Sequence, residues 1–202
     1  MSTIEASQLA ELHEKLSSLE QEIAALRRQR SQREVPDHSF TAWDGQQVRL
    51  SELFGEKDQL ILIHNMGFAC SYCTMWADGF NGLLPHIEER AAFVVASPDD
   101  VKAQERGANE RGWNFRMVSD KGSPFAQDMG FASEDGQPTP GLSIFVTTGD
   151  AGIRRHDSAP FGPGDKFCPV WSFVDLLPYR TGSGVAQRVG CWPQGEPRRP
   201  AG

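Results

Sequence analysis

No apolar run in this sequence approaches the roughly 20 residues that cross a bilayer, so no membrane-spanning helix is expected. Positive charge is not in excess either: 20 Lys and Arg against 27 Asp and Glu leave a formal net charge of −7. An extended nucleic-acid surface needs clustered cations to displace phosphate counterions, so nucleic acid is not an expected partner. The opening Met1-Ser2-Thr3-Ile4-Glu5 lacks the basic-then-apolar order of a secretory signal, and a cytoplasmic location is the expectation. There is no internal repeat, and the loops at 133–138 and 162–164 are too irregular to cradle phosphate. Cysteine is scarce: four in 202 residues do not build a disulfide scaffold. What remains is a soluble chain with enough apolar residues for one core plus extensions.

Hydrophobic periodicity marks out the elements. Leu9, Leu12, Leu16, Leu19, Ile23 and Leu26 recur at alternating three- and four-residue steps, predicting a helix over 3–33. Acids come early (Glu5, Glu11, Glu14) and arginines late (Arg27, Arg28, Arg30, Arg33), which complements the helix dipole. Val35-Pro36 ends it, since the residue before proline is pushed out of helical geometry. The stripe either pairs with a second copy as a short coiled coil through residues 3–33 or lies on its own domain. Segments 40–43 and 47–50 flank Asp44-Gly45 as a hairpin. Leu60 to His64 reads as a strand buried on both faces, and Ala92 to Ser97 as a second. Helices are expected at 73–80 and 83–90, broken near Asn81-Gly82 and Pro85, and again from Pro98 to Arg111. A strand at 115–118, a short helix at 124–129, a hairpin of 142–147 with 152–156 around the 148–151 turn, and a helix at 170–177 complete the pattern. The alternation predicts an α/β fold with a mixed central sheet flanked by helices. Domain organisation is then a helix at 1–35, a core domain at 36–178, and a disordered Gly/Pro/Arg tail at 179–202.

Chemistry concentrates at Cys70-Ser71-Tyr72-Cys73, a pair placed after a strand and before a helix. Disulfide exchange needs one thiolate to attack and a second thiol to resolve the mixed disulfide. At a helix start the leading sulfur meets unpaired N–H groups and the positive dipole end, which favour its anion. Cys70 is therefore the expected nucleophile and Cys73 the resolving thiol. Zinc is the competing use of such a pair, but it commonly takes two pairs and no second pair exists; His64 or His86 would have to improvise the rest. Cys168 reads as a small buried apolar group or a third thiol, and Cys191 as an exposed tail residue.

The stretch Leu60 to Cys73 resembles the central strand and active-site turn of thioredoxin-fold proteins. A closer resemblance is to the bacterial family catalogued as domain of unknown function 899, described as predicted dithiol–disulfide oxidoreductases. It rests on Cys73-Thr74-Met75-Trp76-Ala77-Asp78-Gly79-Phe80-Asn81-Gly82, and continues through Pro85-His86-Ile87, Ala96-Ser97-Pro98 and Gly112-Trp113-Asn114-Phe115. The leading heptad helix and Pro140-Gly141-Leu142-Ser143-Ile144-Phe145 also match. The resemblance implies a thioredoxin-like sheet and a redox-active Cys70–Cys73 disulfide with no further cofactor. It implies a substrate-facing cis proline at Thr139-Pro140, with Pro138 as competitor. It places His64, six residues before Cys70, where thioredoxins carry a buried acid that takes the resolving proton. An imidazole could serve there, or could be a core histidine. Ser71-Tyr72 replaces the Gly-Pro of thioredoxins, and Tyr72 with Phe68 forms an apolar rim. The expected activity is thiol–disulfide exchange with a protein or small-molecule disulfide or dithiol. A peroxiredoxin-like peroxidase is the alternative, although Asn65 to Ala69 lacks the Pro and Thr those enzymes place ahead of their cysteine. A zinc-binding or assembly protein is the third reading.

Overall fold

The computed structural model describes residues 3–29, 33–147 and 152–177. In chain order it contains α1 (Thr3–Gln29), β1 (Arg33–Val35), β2 (Ser39–Thr41), β3 (Gln47–Arg49), a 3-10 turn (Leu50–Phe54), β4 (Gln59–His64) and α2 (Ser71–Glu88). There follow β5 (Ala92–Ser97), α3 (Val101–Arg111), β6 (Arg116–Ser119), α4 (Phe125–Asp128), β7 (Gly141–Thr147), β8 (Ile153–Pro160) and α5 (Val170–Asp175). The strands form one mixed sheet in the order β1-β8-β7-β4-β5-β6-β2-β3. Among the described strands, only the β4–β5 and β5–β6 pairs are parallel.

Because side chains alternate across a strand, β4 feeds two cores. Ile63 goes to the face that also holds Trp76, Phe80 and Leu84 of α2, Ala108 of α3 and Trp171 of α5. Leu60 and Leu62 go to the opposite face, among Phe40, Leu53, Phe54, Phe125 and Phe145. Burying each such side chain contributes about 1.5–3 kcal/mol, so a helix anchored by Trp76, Phe80 and Leu84 is firmly seated. That anchoring explains the first departure from the sequence pattern. The helix expected to break near Pro85 runs on as a single α2, with Pro85 inside it. Proline deletes one backbone bond there, but Pro85 O still accepts Glu89 N–H, and Asn81 spends its side chain on Gly112 O and Asn114 N–H.

Pro98 also stands outside its expected helix. Asp100 caps α3 by accepting Ala103 N–H, and Pro98 and Asp99 form a short link from β5. No alternating pattern signals β1; it pairs antiparallel with β8, which extends beyond its expected end to Pro160. The 148–151 turn, residues 30–32 of the expected first helix, and the 178–202 segment with Cys191 lie outside the described residues. No helix of the described residues is long and apolar enough to cross a membrane.

Helix α1 rests on the domain by its polar side. Arg27 pairs with Asp157 at 3.2 Å, and Glu20 with Lys166 at 2.6 Å. Its apolar stripe does not turn inward: Leu9, Leu12, Leu16, Leu19, Ile23 and Leu26 are 46–65% exposed.

Candidate active site

Two parallel strands end side by side at His64 and Ser97, and the crevice beyond such carboxyl ends is where α/β sheets assemble sites. From β4 the chain loops through Asn65–Ala69 into α2. That loop is tied down at each step: Asn65 N–H reaches Ala96 O at 2.9 Å, and Asn65 Oδ1 accepts Gly67 N–H at 2.7 Å. Phe68 N–H donates to Asp99 Oδ2 at 2.9 Å, and Cys70 N–H to Gly67 O at 3.1 Å. Gly67 sits at φ +99°, and a Cβ there would lie 2.9 Å from both Asp99 carboxylate oxygens. Both the backbone and the close carboxylate therefore require glycine. Phe68 stacks on Trp113 at 5.1 Å, over Gly107 of α3, where a Cβ would overlap its ring.

Cys70 is the N-cap of α2, with extended backbone at φ −92° and ψ 105°. Its Sγ accepts Cys73 N–H at 3.1 Å, in the position usually taken by a capping oxygen. Thr74 closes the turn by donating its N–H and hydroxyl to Cys70 O at 3.1 and 2.9 Å. Both cysteines are free thiols, Cys70 half-buried and Cys73 only 2% exposed. Cys73 Sγ lies behind, accepting Met66 N–H at 3.5 Å.

These contacts split the two acidities. The Cys73 thiol donates to Cys70 Sγ, the N–H groups of Cys73 and Tyr72 add to it, and partial burial opposes them; together they hold Cys70 down to about 6. Cys73 is pushed well above the ordinary thiol range by that same bond, by burial, and by the charges of Cys70 and Asp99. One accessible thiolate beside one buried thiol is the arrangement that nucleophilic attack followed by resolution requires.

The remaining expected residues are distributed differently. Tyr72 leans at tilted angles on Trp76 and Trp171, 6.2 and 5.9 Å between ring centroids, and borders the cysteine side. His64 shares parity with Leu60 and Leu62, so its ring enters the face opposite α2. There it stacks on Phe131 at 4.0 Å and on Phe125 at 5.3 Å, and its Nε2 meets Ser143 Oγ at 2.9 Å. Burial, aided by the Arg155 charge, lowers its pKa to about 3, so the ring is neutral near pH 7. The structure does not bring it to the thiols.

The expected cis bond at Thr139-Pro140 is not present: no cis peptide occurs among the described residues. Trans is the intrinsically favoured form, and here both ends of the dipeptide are satisfied by backbone. Thr139 N–H donates to Phe131 O at 2.8 Å, and Pro140 O accepts Phe161 N–H at 2.9 Å as β7 begins. Thr139 and Pro138 instead line a cleft of about 200 Å³, with His64, Asn65, Asp120 and Lys121. Cys168 is buried in the α2 face core, and its pKa is raised by burial and then by Asp165. Among the described residues no group of three or more His, Cys, Asp or Glu side chains gathers as a metal site.

Three polar residues that organise the site carried little sequence signal. Asp99 looks like an ordinary acid opening a helix, yet it bonds the loop ahead of Cys70 and its charge is felt at Cys73. Its place just past the end of a parallel strand was the available clue. Gln104, fully buried in α3, donates to Ser97 Oγ and to Val118 O at 3.0 Å each, locking the ends of β5 and β6, and accepts Trp43 Nε1–H. Asp165 accepts Trp76 Nε1–H at 3.0 Å and the N–H groups of Gly162 and Phe167, fastening the segment after β8 to α2.

Comparison with solved structures finds the same fold. The chain is similar to a cysteine-to-serine mutant of PrxQ from Xylella fastidiosa, with TM-score 0.57 and 17% identity over 72% of this chain and 92% of that one. It is similar to a cysteine-to-serine mutant of peroxiredoxin Q from Xanthomonas campestris, with TM-score 0.54 and 18% identity over 70% and 92%. Peroxidoxin BcpB of Mycobacterium tuberculosis gives TM-score 0.52 and 24% identity over 64% and 84%. At these identities the likeness shows a thioredoxin-like fold. Among curated proteins none is significantly similar in sequence. Over residues 5–194 the sequence matches the family described as bacterial protein of unknown function, DUF899, and the chain belongs to that family.

Proposed function

We propose that this chain is a thiol–disulfide oxidoreductase whose Cys70–Cys73 pair carries the two electrons. The observation that carries the reading is the convergence of the Cys73 N–H and thiol on Cys70 Sγ, which stabilises one accessible thiolate ahead of its buried partner. In the reducing direction, the Cys70 thiolate attacks one sulfur of a substrate disulfide and expels the other as thiolate. Cys73, deprotonated as it attacks, displaces the remaining substrate sulfur from Cys70. The substrate disulfide is thereby reduced to two thiols, and the enzyme dithiol becomes the Cys70–Cys73 disulfide. The Cys73 proton is taken up by the departing substrate thiolate. Tyr72 and Phe68 form the apolar rim that a protein or small-molecule disulfide meets.

A second reading is favoured by the likeness to peroxiredoxins: Cys70 attacks a hydroperoxide, becomes the sulfenic acid as the alcohol leaves, and condenses with Cys73 to give the disulfide and water. Insulin reduction with dithiothreitol and peroxide consumption are measured side by side on wild type and Cys70→Ser. Insulin reduction lost in Cys70→Ser supports exchange. Peroxide consumption alone, with a trapped sulfenic acid on Cys70, supports the peroxidase. Equal rates for both proteins in both assays remove the enzyme reading.

A further inference from the structure

We propose that the chain is a homodimer held by α1, two copies pairing antiparallel along the stripe from Leu9 to Leu26. Six large aliphatic side chains on one helix face stand 46–65% exposed, while the remainder of the large apolar residues exposed in the described chain lie at 83 and in or just after α5. The helix is not a loose extension that happens to show them. One flank of the stripe is held against the domain by Glu20–Lys166 and Arg27–Asp157, and Ala24 and Ala25, on the far side of the helix, are partly covered. The stripe is therefore presented outward on a helix already ordered, which lowers the entropic cost of association.

The occupant follows from the spacing. Leu9, Leu16 and Ile23 occupy one heptad position and Leu12, Leu19 and Leu26 the other, so the stripe is self-complementary. Paired head to tail about its centre, Leu9 meets Leu26 of the second copy, Leu12 meets Ile23, and Leu16 meets Leu19. Covering both stripes removes on the order of 1,000 Å² of apolar surface, about where specific interfaces begin.

Flanking charge chooses the direction. Of the positions beside the seam, Glu20 and Arg27 are engaged by their own domain. Lys15 and Glu22 lie on the open flank, where Lys15 pairs with its helical neighbour Glu11. In an antiparallel pair Lys15 faces Glu22 of the second copy, twice by symmetry. In a parallel pair Lys15 and Glu22 would instead depend on Glu20 and Arg27, the two already held.

Sedimentation equilibrium of the full chain under reducing conditions tests this. The expected species is twice the 22.3 kDa chain mass at micromolar concentration. Leu16→Glu, at an exposed central position, gives monomer with an unchanged far-ultraviolet spectrum. Lys15→Glu weakens the dimer on the order of tenfold, and Lys15→Glu with Glu22→Lys restores it. A wild-type monomer at high micromolar concentration, or a Leu16→Glu variant still dimeric, overturns the interface. A double charge swap as weak as or weaker than the single variant overturns the antiparallel direction, because parallel helices would then oppose like charges at both pairs.

Discussion

Replacing Cys73 with alanine isolates the bond that sets the reactivity of Cys70. The Cys70 thiol is brought from 9.0 down to about 6, and the Cys73 thiol is the largest contributor, ahead of the backbone N–H groups. A drop of that size corresponds to about 4 kcal/mol in favour of the thiolate, and solvent at this half-buried sulfur trims it to roughly half. Alanine keeps the N–H of residue 73 and removes only the S–H donor, so the Cys70 pKa should rise by about 1–2. At pH 7 the thiolate fraction then falls from about nine-tenths toward one-tenth. The alkylation rate at that single pH is a poor readout, because a more basic thiolate is also more nucleophilic and the two effects nearly cancel. The midpoint of the iodoacetamide rate–pH profile is the proper quantity. A midpoint near 6 in wild type, displaced upward in Cys73→Ala, is the expected result. An identical midpoint in the two proteins would show that the helix amides alone hold the thiolate and that the thiol pair is not coupled.

Other perturbations address the supports of the site. Gly107→Ala drives a methyl into the Phe68 ring and should cost about 1–3 kcal/mol in urea unfolding, with a change in Trp113 fluorescence; an unaltered midpoint refutes the close packing. Asp165→Ala leaves Trp76 Nε1–H and two backbone N–H groups without their acceptor, and should lower stability by about 2 kcal/mol while loosening 162–168 to protease; equal stability and equal cleavage would refute that anchoring. For His64 the folded pKa of about 3 lies below the ordinary 6.5, so protonation favours the unfolded chain. Its contribution is full above pH 6.5 and is lost as pH falls toward 3, on the order of 3 kcal/mol by pH 4. His64→Gln should flatten that part of the stability–pH curve; equal slopes for both proteins refute a buried neutral imidazole.

Much of this architecture can be read from the sequence because local pattern and tertiary need coincide. The run from Leu60 to His64 is apolar on both sides because β4 lies between two cores, and it appears where that pattern predicts. The placement of Cys70 and Cys73 is legible for the same reason: an apolar strand stands ahead of them and a helix begins at Cys70. Three-residue β1 has too few side chains to show a period, and its pairing partner lies 120 residues on. Pro85 reads as a breaker by propensity, but Phe80 and Leu84 hold the helix across it. His64 keeps the sequence offset of a proton acceptor, yet strand parity sends it to the far face, a matter of which side of the sheet α2 occupies. Asp99, Gln104 and Asp165 act through contacts between distant segments, for which a single sequence holds no periodic trace.

The outermost ribbons of the sheet, β1 and β3, are each three residues long. Ribbons that brief give a stray strand almost no template for annealing, so edge-to-edge aggregation is curtailed at both margins. Sticky contact is thereby steered away from the sheet rims and onto side-chain surfaces, whose specificity can be encoded residue by residue.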